Sequence, residues 1–269
     1  MKVIIHKDEG SILWGGVYYF GLARFPSITH WELRLLVAFA EYEKKHGREA
    51  QFVCEDAQLL QEINAAILHP QAVSSAALPE RLTNCTYCLQ KGCLTQLLCH
   101  TASIENAKSI LACGKILSAV NARQVPGAEL AKEPRNAAGD PPDYFDDVMF
   151  AWGNCQAGDR LVMERSLGRF PNDDDLGAGF APGVRFFFTH DTIAAHPGFV
   201  FDGYHPARIH GGIALEENLL ACTIPKHLES EMRAFIPENL KSRVHFIEHT
   251  SEDLLHWSKK MYDFAVSLH

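Results

Sequence analysis

LLCHTASIENAKSILACGKILSA, residues 97–119, reads as a strand, a helix and a second strand in immediate succession. A short apolar run ends at His100, a helix opens at Ser103, and Gly114 closes it before the next apolar run. A histidine where a strand meets a helix is ordinarily a core residue. Here its surroundings point further. Asn106 lies in the first turn of the helix, whose N-terminal N–H groups are unpaired and carry partial positive charge. His100, Thr101 and Asn106 are therefore candidates for gripping a polar ligand with hydroxyl, amide or phosphate groups.

Working outward, the chain has 269 residues, 47% of them hydrophobic and 22% charged, which suits a large globular unit with a real core. A net charge of −8 argues against broad electrostatic attraction to nucleic acid. MKVIIHKDEGS, residues 1–11, lacks the long apolar core of a signal peptide, and SILWGGVYYFGLA, residues 11–23, is too short to span a bilayer. A cytoplasmic protein with no membrane span is expected, its eight cysteines thiols or metal ligands rather than disulfides.

Residues 1–20 read as β structure. Thr29 followed by Glu32 is a capping-box signature for a helix that Gly47 stops, and a second helix is predicted from about Asp56 to His69, before Pro70. Small residues and prolines over 70–84 mark a connector, so residues 1–84 are taken as an N-terminal strand and helix appendage and 85–269 as the main domain. There, strands are predicted at 94–99, 115–118, 147–152, 160–164, 184–189, 218–224 and 243–248. Long loops are predicted over the proline-rich 124–143 and over PNDDDLGAGFAPG, 171–183. An amphipathic helix, capped by Ser251, ends the chain.

Three groups carry candidate chemistry. Cys85, Cys88, Cys93 and Cys99 open with a Cys-x-x-Cys knuckle that suits a structural zinc, but the second pair is too widely spaced and Cys99 falls in an apolar strand. DGYHPARIHGG, residues 202–212, sets His205, His210 and Arg208 in a glycine-flanked segment with no nucleophile motif beside it. Glu216 and Glu217 stand just before a strand, where a carboxylate projects into a cleft or simply into solvent.

The order of these pieces resembles the DarT-type branch of the NAD-dependent ADP-ribosyltransferases. The residues that carry the resemblance are His100, Ile104, Asn106, Ile110, Leu111, Gly114 and Leu117, then DYFDDVMFAW (143–152), FFFTHD (186–191), EENLLACTIP (216–225) and RVHFIE (243–248). Ala107 stands where the family has leucine, and the 143–152 strand lacks the family's proline. The resemblance implies an α+β fold with a split β-sheet core and NAD as substrate, cleaved at the nicotinamide–ribose bond. It implies Glu217, with Glu216 as its neighbour, as the carboxylate at the ribose, where a placed charge stabilises the developing cation. It implies that His100, Thr101 and Asn106 hold NAD, that Tyr144 or Phe145 stacks on nicotinamide, and that Arg123 or Arg135 pairs with the pyrophosphate. The acceptor is open between nucleic acid (single-stranded DNA among the relatives), a protein and a small molecule. Two alternatives stand beside it: a zinc-stapled or NAD-binding interaction domain without turnover, and an unrelated α+β hydrolase using His205 or His210.

Overall fold

The computed structural model describes residues 1–7, 10–82, 93–133 and 140–269. Its first 68 residues build a four-stranded sheet from β1 (Lys2–His6), β2 (Ile12–Trp14), β3 (Val17–Gly21) and, after helix α1 (His30–Lys45), β4 (Gln51–Cys54), followed by α2 (Ala57–Leu68). Strand order is β2-β3-β1-β4, with β1 parallel to both β3 and β4. Thr29 Oγ1 accepts from the Glu32 N–H at 3.2 Å while Glu32 Oε2 accepts from the Thr29 N–H at 2.7 Å, so the predicted capping box starts α1. Asp56 caps α2 through the Leu59 N–H at 2.8 Å, and that helix ends before Pro70.

Strands β5 (Arg81–Leu82) and β6 (Cys93–Leu94) form a small ribbon. Residues 97–117 follow as β7 (Leu97–Ala102), α3 (Ile104–Cys113) and β8 (Lys115–Leu117). Ser103 Oγ accepts from the Asn106 N–H at 3.3 Å, and Gly114 takes the left-handed conformation that ends α3. Next come short helices α4 (Ala119–Arg123) and α5 (Gly127–Leu130), strand β9 (Asp147–Trp152), helices α6 (Ala157–Leu167) and α7 (Asp173–Leu176), strand β10 (Val184–Thr189) and helix α8 (His190–Ala194). The chain closes through β11 (Phe199–Val200), β12 (Ala207–His210), β13 (Gly212–Ala214), α9 (Leu215–Asn218), β14 (Ala221–Pro225), α10 (Glu229–Met232), β15 (Val244–Ile247) and α11 (Leu254–Leu268). The result is a mixed α+β fold.

The main sheet runs β11-β12-β9-β7-β10-β14-β15, antiparallel except for the last pair, with β8 and β13 paired separately. Alternation along β7 sends Leu98 and Ala102 into a core with Ala107 and Leu111 of α3, and Leu97 and Cys99 into a second core under α6 and α11. That second core holds a buried ion pair: Arg185 of β10 donates to Asp159 of α6 at 2.5 Å and to Ser258 of α11 at 2.9 Å.

The β9, β12 and β11 end of the same sheet face is covered by the N-terminal unit. Its core, built on Val3, Tyr18, Phe20, Leu36 and Phe39, also takes in Tyr144, while Met149, Val200 and Tyr204 pack against it. Gly203 makes the closest approach. A Cβ there would lie 2.0 Å from the Leu35 carbonyl oxygen, and φ is +74°, so only glycine lets this loop touch the α1 backbone. Tyr18 Oη donates to the Gly203 carbonyl at 3.3 Å, and the Leu13 N–H donates to Tyr204 Oη at 3.1 Å. The appendage is thus fastened to the far edge of the main sheet.

Two local expectations need correction. Residues 160–164 lie inside helix α6 rather than in a strand: Asp159 and Met163, one turn apart, are the residues that face inward. Asp253, not Ser251, caps α11 through the His256 N–H at 2.8 Å, and Ser251 has φ +66°. The proline-rich 124–143 holds α5 and the start of a 3-10 turn at Pro142–Asp146. Among the described residues no helix is long and apolar enough to cross a membrane.

Candidate active site

Three segments distant in sequence meet where α1 crosses the edge of the main sheet. On β12, residues alternate, so Ala207 and Ile209 enter the core under α3 while Arg208 and His210 point to the opposite face. On β9, Asp147 is the register partner of His210. From α1 and its C-terminal turn come Tyr42, His46 and Arg48. Together they border a cleft of ≈ 400 Å³ lined by Tyr42, Lys45, His46, Asp143, Asp146, Asp147 and His210, with Phe199 and Val200 as its apolar wall.

The electrostatic centre is Arg208, a guanidinium removed from solvent. Its Nη2 forms an ion pair with Asp147 Oδ2 at 2.6 Å, and its Nη1 donates to Asp202 Oδ2 at 2.9 Å. The rings of Tyr144 and Tyr42 lie 4.2 and 4.8 Å from its central carbon. Such a charge survives burial because two carboxylates and two π faces replace its water. Each carboxylate in turn holds a histidine. Asp147 Oδ1 accepts from His210 Nδ1 at 3.0 Å, and Asp202 Oδ2 accepts from His205 Nδ1 at 2.8 Å. Asp202 Oδ1 also accepts the Tyr204 and His205 N–H groups, at 3.0 and 2.7 Å. Burial alone would push the Asp202 carboxyl up; His205 and Arg208 outweigh it and hold it well below the usual range.

A second network braces the α1 wall. Arg48 grips Glu43 through Nε at 3.0 Å and Asp143 through Nη1 at 2.5 Å, while Tyr42 Oη donates to Asp143 Oδ2 at 2.6 Å. Despite burial, Arg48 and Tyr42 lower the Asp143 pKa. His46 Nδ1 is bonded to the Tyr42 carbonyl at 2.8 Å, which leaves its Nε2 3.9 Å from Asp143. Asp140, beside this network, is raised to about 6 by burial, His205 and Arg208 only partly offsetting it.

The two histidines differ in exposure. His205 is mostly covered and edges onto Tyr144 and Tyr204, with ring centroids 5.6 and 4.6 Å away. His210 is 70% exposed on an Asp147 that is 5% exposed. With Nδ1 committed to Asp147, its Nε2 is the basic nitrogen left for chemistry. A histidine whose tautomer is fixed by a buried carboxylate is the arrangement general-base catalysis requires.

None of the residues expected to hold NAD is among those that line this cleft. His100 and Thr101 point to opposite faces of β7. His100 turns toward Phe150 and bonds the Met149 carbonyl through Nδ1 at 3.1 Å, and burial lowers its pKa. Thr101 lies under Gly158 of α6 and within 3.9 Å of the Cys99 sulfur. Asn106 is on the first turn of α3, whereas Glu216 and Glu217 are exposed on α9 beside Gly114, at the other end of that helix. Eight residues of helix set the two ends about 12 Å apart. Arg123 pairs with Glu133 on the surface at 2.5 Å. Tyr144 is fully buried and serves as the lid on Arg208; Phe145 beside it is half-buried. Arg135, Cys85, Cys88 and the side chain of Cys93 fall outside the described residues. Cys99 is buried and its thiol is pushed up to about 12 by that burial. Among the described residues no group of three or more His, Cys, Asp or Glu side chains is placed to hold a metal ion.

The sequence reading singled out His205, Arg208 and His210 but not their partners. Asp202, three residues before His205, was visible as a local Asp-x-x-His spacing; Asp147, Asp143 and Arg48 become partners only through strand register and the docking of α1. Compared with family models, curated proteins and solved structures, the chain matches none.

Proposed function

We propose that this protein is an enzyme in which His210, oriented by Asp147, acts as general base on a water or hydroxyl group of a small polar substrate bound between α1 and the β11–β12 edge. The observation that carries the reading is the His210–Asp147–Arg208 chain: an accessible imidazole on a buried carboxylate that is itself locked by a buried guanidinium. Asp147 holds one tautomer and steadies the imidazolium formed when Nε2 takes a proton. Arg208 prevents Asp147 from turning away. Among the described residues no serine, threonine or cysteine lines the cleft, and the attacking group is assigned to water or the substrate.

The test is a panel of chromogenic esters, phosphate esters and glycosides, together with NAD and a nicotinamide-release assay. Turnover should fall by on the order of 10²-fold or more in His210→Asn. Full activity in that variant overturns the assignment.

A second reading, NAD-dependent ADP-ribosyl transfer, is favoured by one feature: the strand, helix and strand at 97–117 form at the residues that resemble that family. His100, with Nδ1 bonded to Met149, would present Nε2 to the ligand. Glu217, with Glu216 beside it, would supply the ribose carboxylate from the exposed side of α9. Nicotinamide release that survives His210→Asn and fails in His100→Ala selects this reading over the first.

A further inference from the structure

A second cleft, of ≈ 590 Å³, adjoins the first and shares Tyr42, Lys45, Phe199 and Val200 with it. The two form one groove along α1. From Tyr42 the second part passes Val37, Ala38 and Val73 and ends at Arg34, two helical turns back. Eight residues of helix make this about 12 Å from Tyr42.

Arg34 is held in place but its charge is not answered. Nη1 donates to the Ala76 carbonyl at 2.6 Å, and the guanidinium carbon lies 5.4 Å from the Trp31 ring centre and 5.5 Å from that of Phe201. Among the described residues no carboxylate is within ion-pair distance of it. Its neighbours on the groove wall, Glu41 and Lys45, are of opposite sign one turn apart. With Nη1 used, the remaining edge of Arg34 is the Nε and Nη2 pair, two parallel N–H groups spaced for the two oxygens of a carboxylate. Two rings and a carbonyl hold that fork rigid, so little side-chain entropy is lost on binding.

We infer that the groove takes an elongated small molecule with a carboxylate on Arg34, an apolar or aromatic section along Val37, Val73 and Phe199, and its reacting end at His210. This rests on the general-base reading only for the placement of the reacting end; the carboxylate subsite stands on Arg34 alone. The substrate class is therefore an amphipathic carboxylic acid rather than a bare ion or a neutral sugar.

The probes are phenylbutanoate and phenylbutanol, equal in length and ring and different in the charged end. Calorimetric titration of the whole protein should show the acid binding at least about tenfold tighter than the alcohol. Arg34→Gln should abolish that preference, Arg34→Lys should keep part of it because the charge remains without the fork, and His210→Asn should leave it unchanged. Should the Gln variant not fold, the Lys variant alone decides, by a reduced preference or an intact one. Equal binding of acid and alcohol, or a full preference in both Arg34 variants, overturns the subsite. A fully active His210→Asn protein that still prefers the acid overturns the general-base reading and leaves the subsite standing.

Discussion

Replacing Arg208 with methionine removes the charge on which both Asp–His pairs depend. The guanidinium is fully buried, and Asp147 and Asp202, its partners at 2.6 and 2.9 Å, are nearly so. Breaking a buried ion pair from one side costs about 3–5 kcal/mol, because the other charge stays buried without its partner. Two carboxylates are affected here. Each keeps a histidine, however, and Asp202 also keeps two backbone N–H groups, so the lower half of that range applies to the pair. Loss of the guanidinium from the Tyr42 and Tyr144 faces adds about 1 kcal/mol, and methionine recovers part of this by burial. The expected deficit is about 4 kcal/mol near neutral pH, a fall in Tm of roughly 8–16 °C.

The pH dependence gives the sharper check. The Asp202 carboxyl is held below its unfolded value, so in the native protein its contribution is complete above the unfolded aspartate pKa, about 3.9, and is lost only as pH falls through the depressed folded value. In the methionine variant the burial of Asp202 is less opposed, its carboxyl titrates higher, and its protonation relieves the strain. The gap between the two proteins should therefore narrow from about pH 7 to about pH 4.5, as measured by urea unfolding followed by circular dichroism. A deficit under about 1 kcal/mol at neutral pH, or one that does not change with pH, refutes the central role given to Arg208.

Gly203→Ala should destabilise the protein by about 3 kcal/mol or more, since its methyl would meet the Leu35 carbonyl and the φ of +74° disfavours it; a melting temperature within a degree of the native protein contradicts the close approach. Asp140→Asn should stabilise. The native carboxyl, raised to about 6, costs stability as pH rises through that value and nothing below the unfolded pKa, so the gain is about 1 kcal/mol at pH 8 after solvent screening and vanishes near pH 4, by the same unfolding assay.

Much of the fold was legible because its signals are local. Thr29 with Glu32, Asp56 before Ala57, and Ser103 with Gly114 mark helix ends by chemistry that acts within four residues, and all three appear where read. The strand expected at 160–164 failed for the opposite reason: Leu161, Val162 and Met163 are an apolar run too short to distinguish helix from strand, and the Arg185–Asp159 pair that turns this segment inward joins residues 26 apart. The candidate site was legible only in part. Arg208 and His210 sit two apart on one strand, so their common face follows from alternation. Which carboxylate each would meet depends on β9 register and on α1 crossing the sheet edge, neither of which leaves a trace in residue spacing. Tyr144 illustrates the limit: an exposed stacking ring and a buried cover for a cation have the same letter.

The loop through Gly203 and Tyr204 has a consequence for how the chain is made. Tyr18 and Phe39 are translated well before Tyr204, the tyrosine that packs against their cluster, which follows them by 186 and 165 residues. At ribosomal speeds of about 5–20 residues per second this is roughly 8–37 s. For that interval the newborn sheet presents bare aromatic surface to solvent or to a chaperone, and slower translation of the intervening codons would prolong the risk of aggregation.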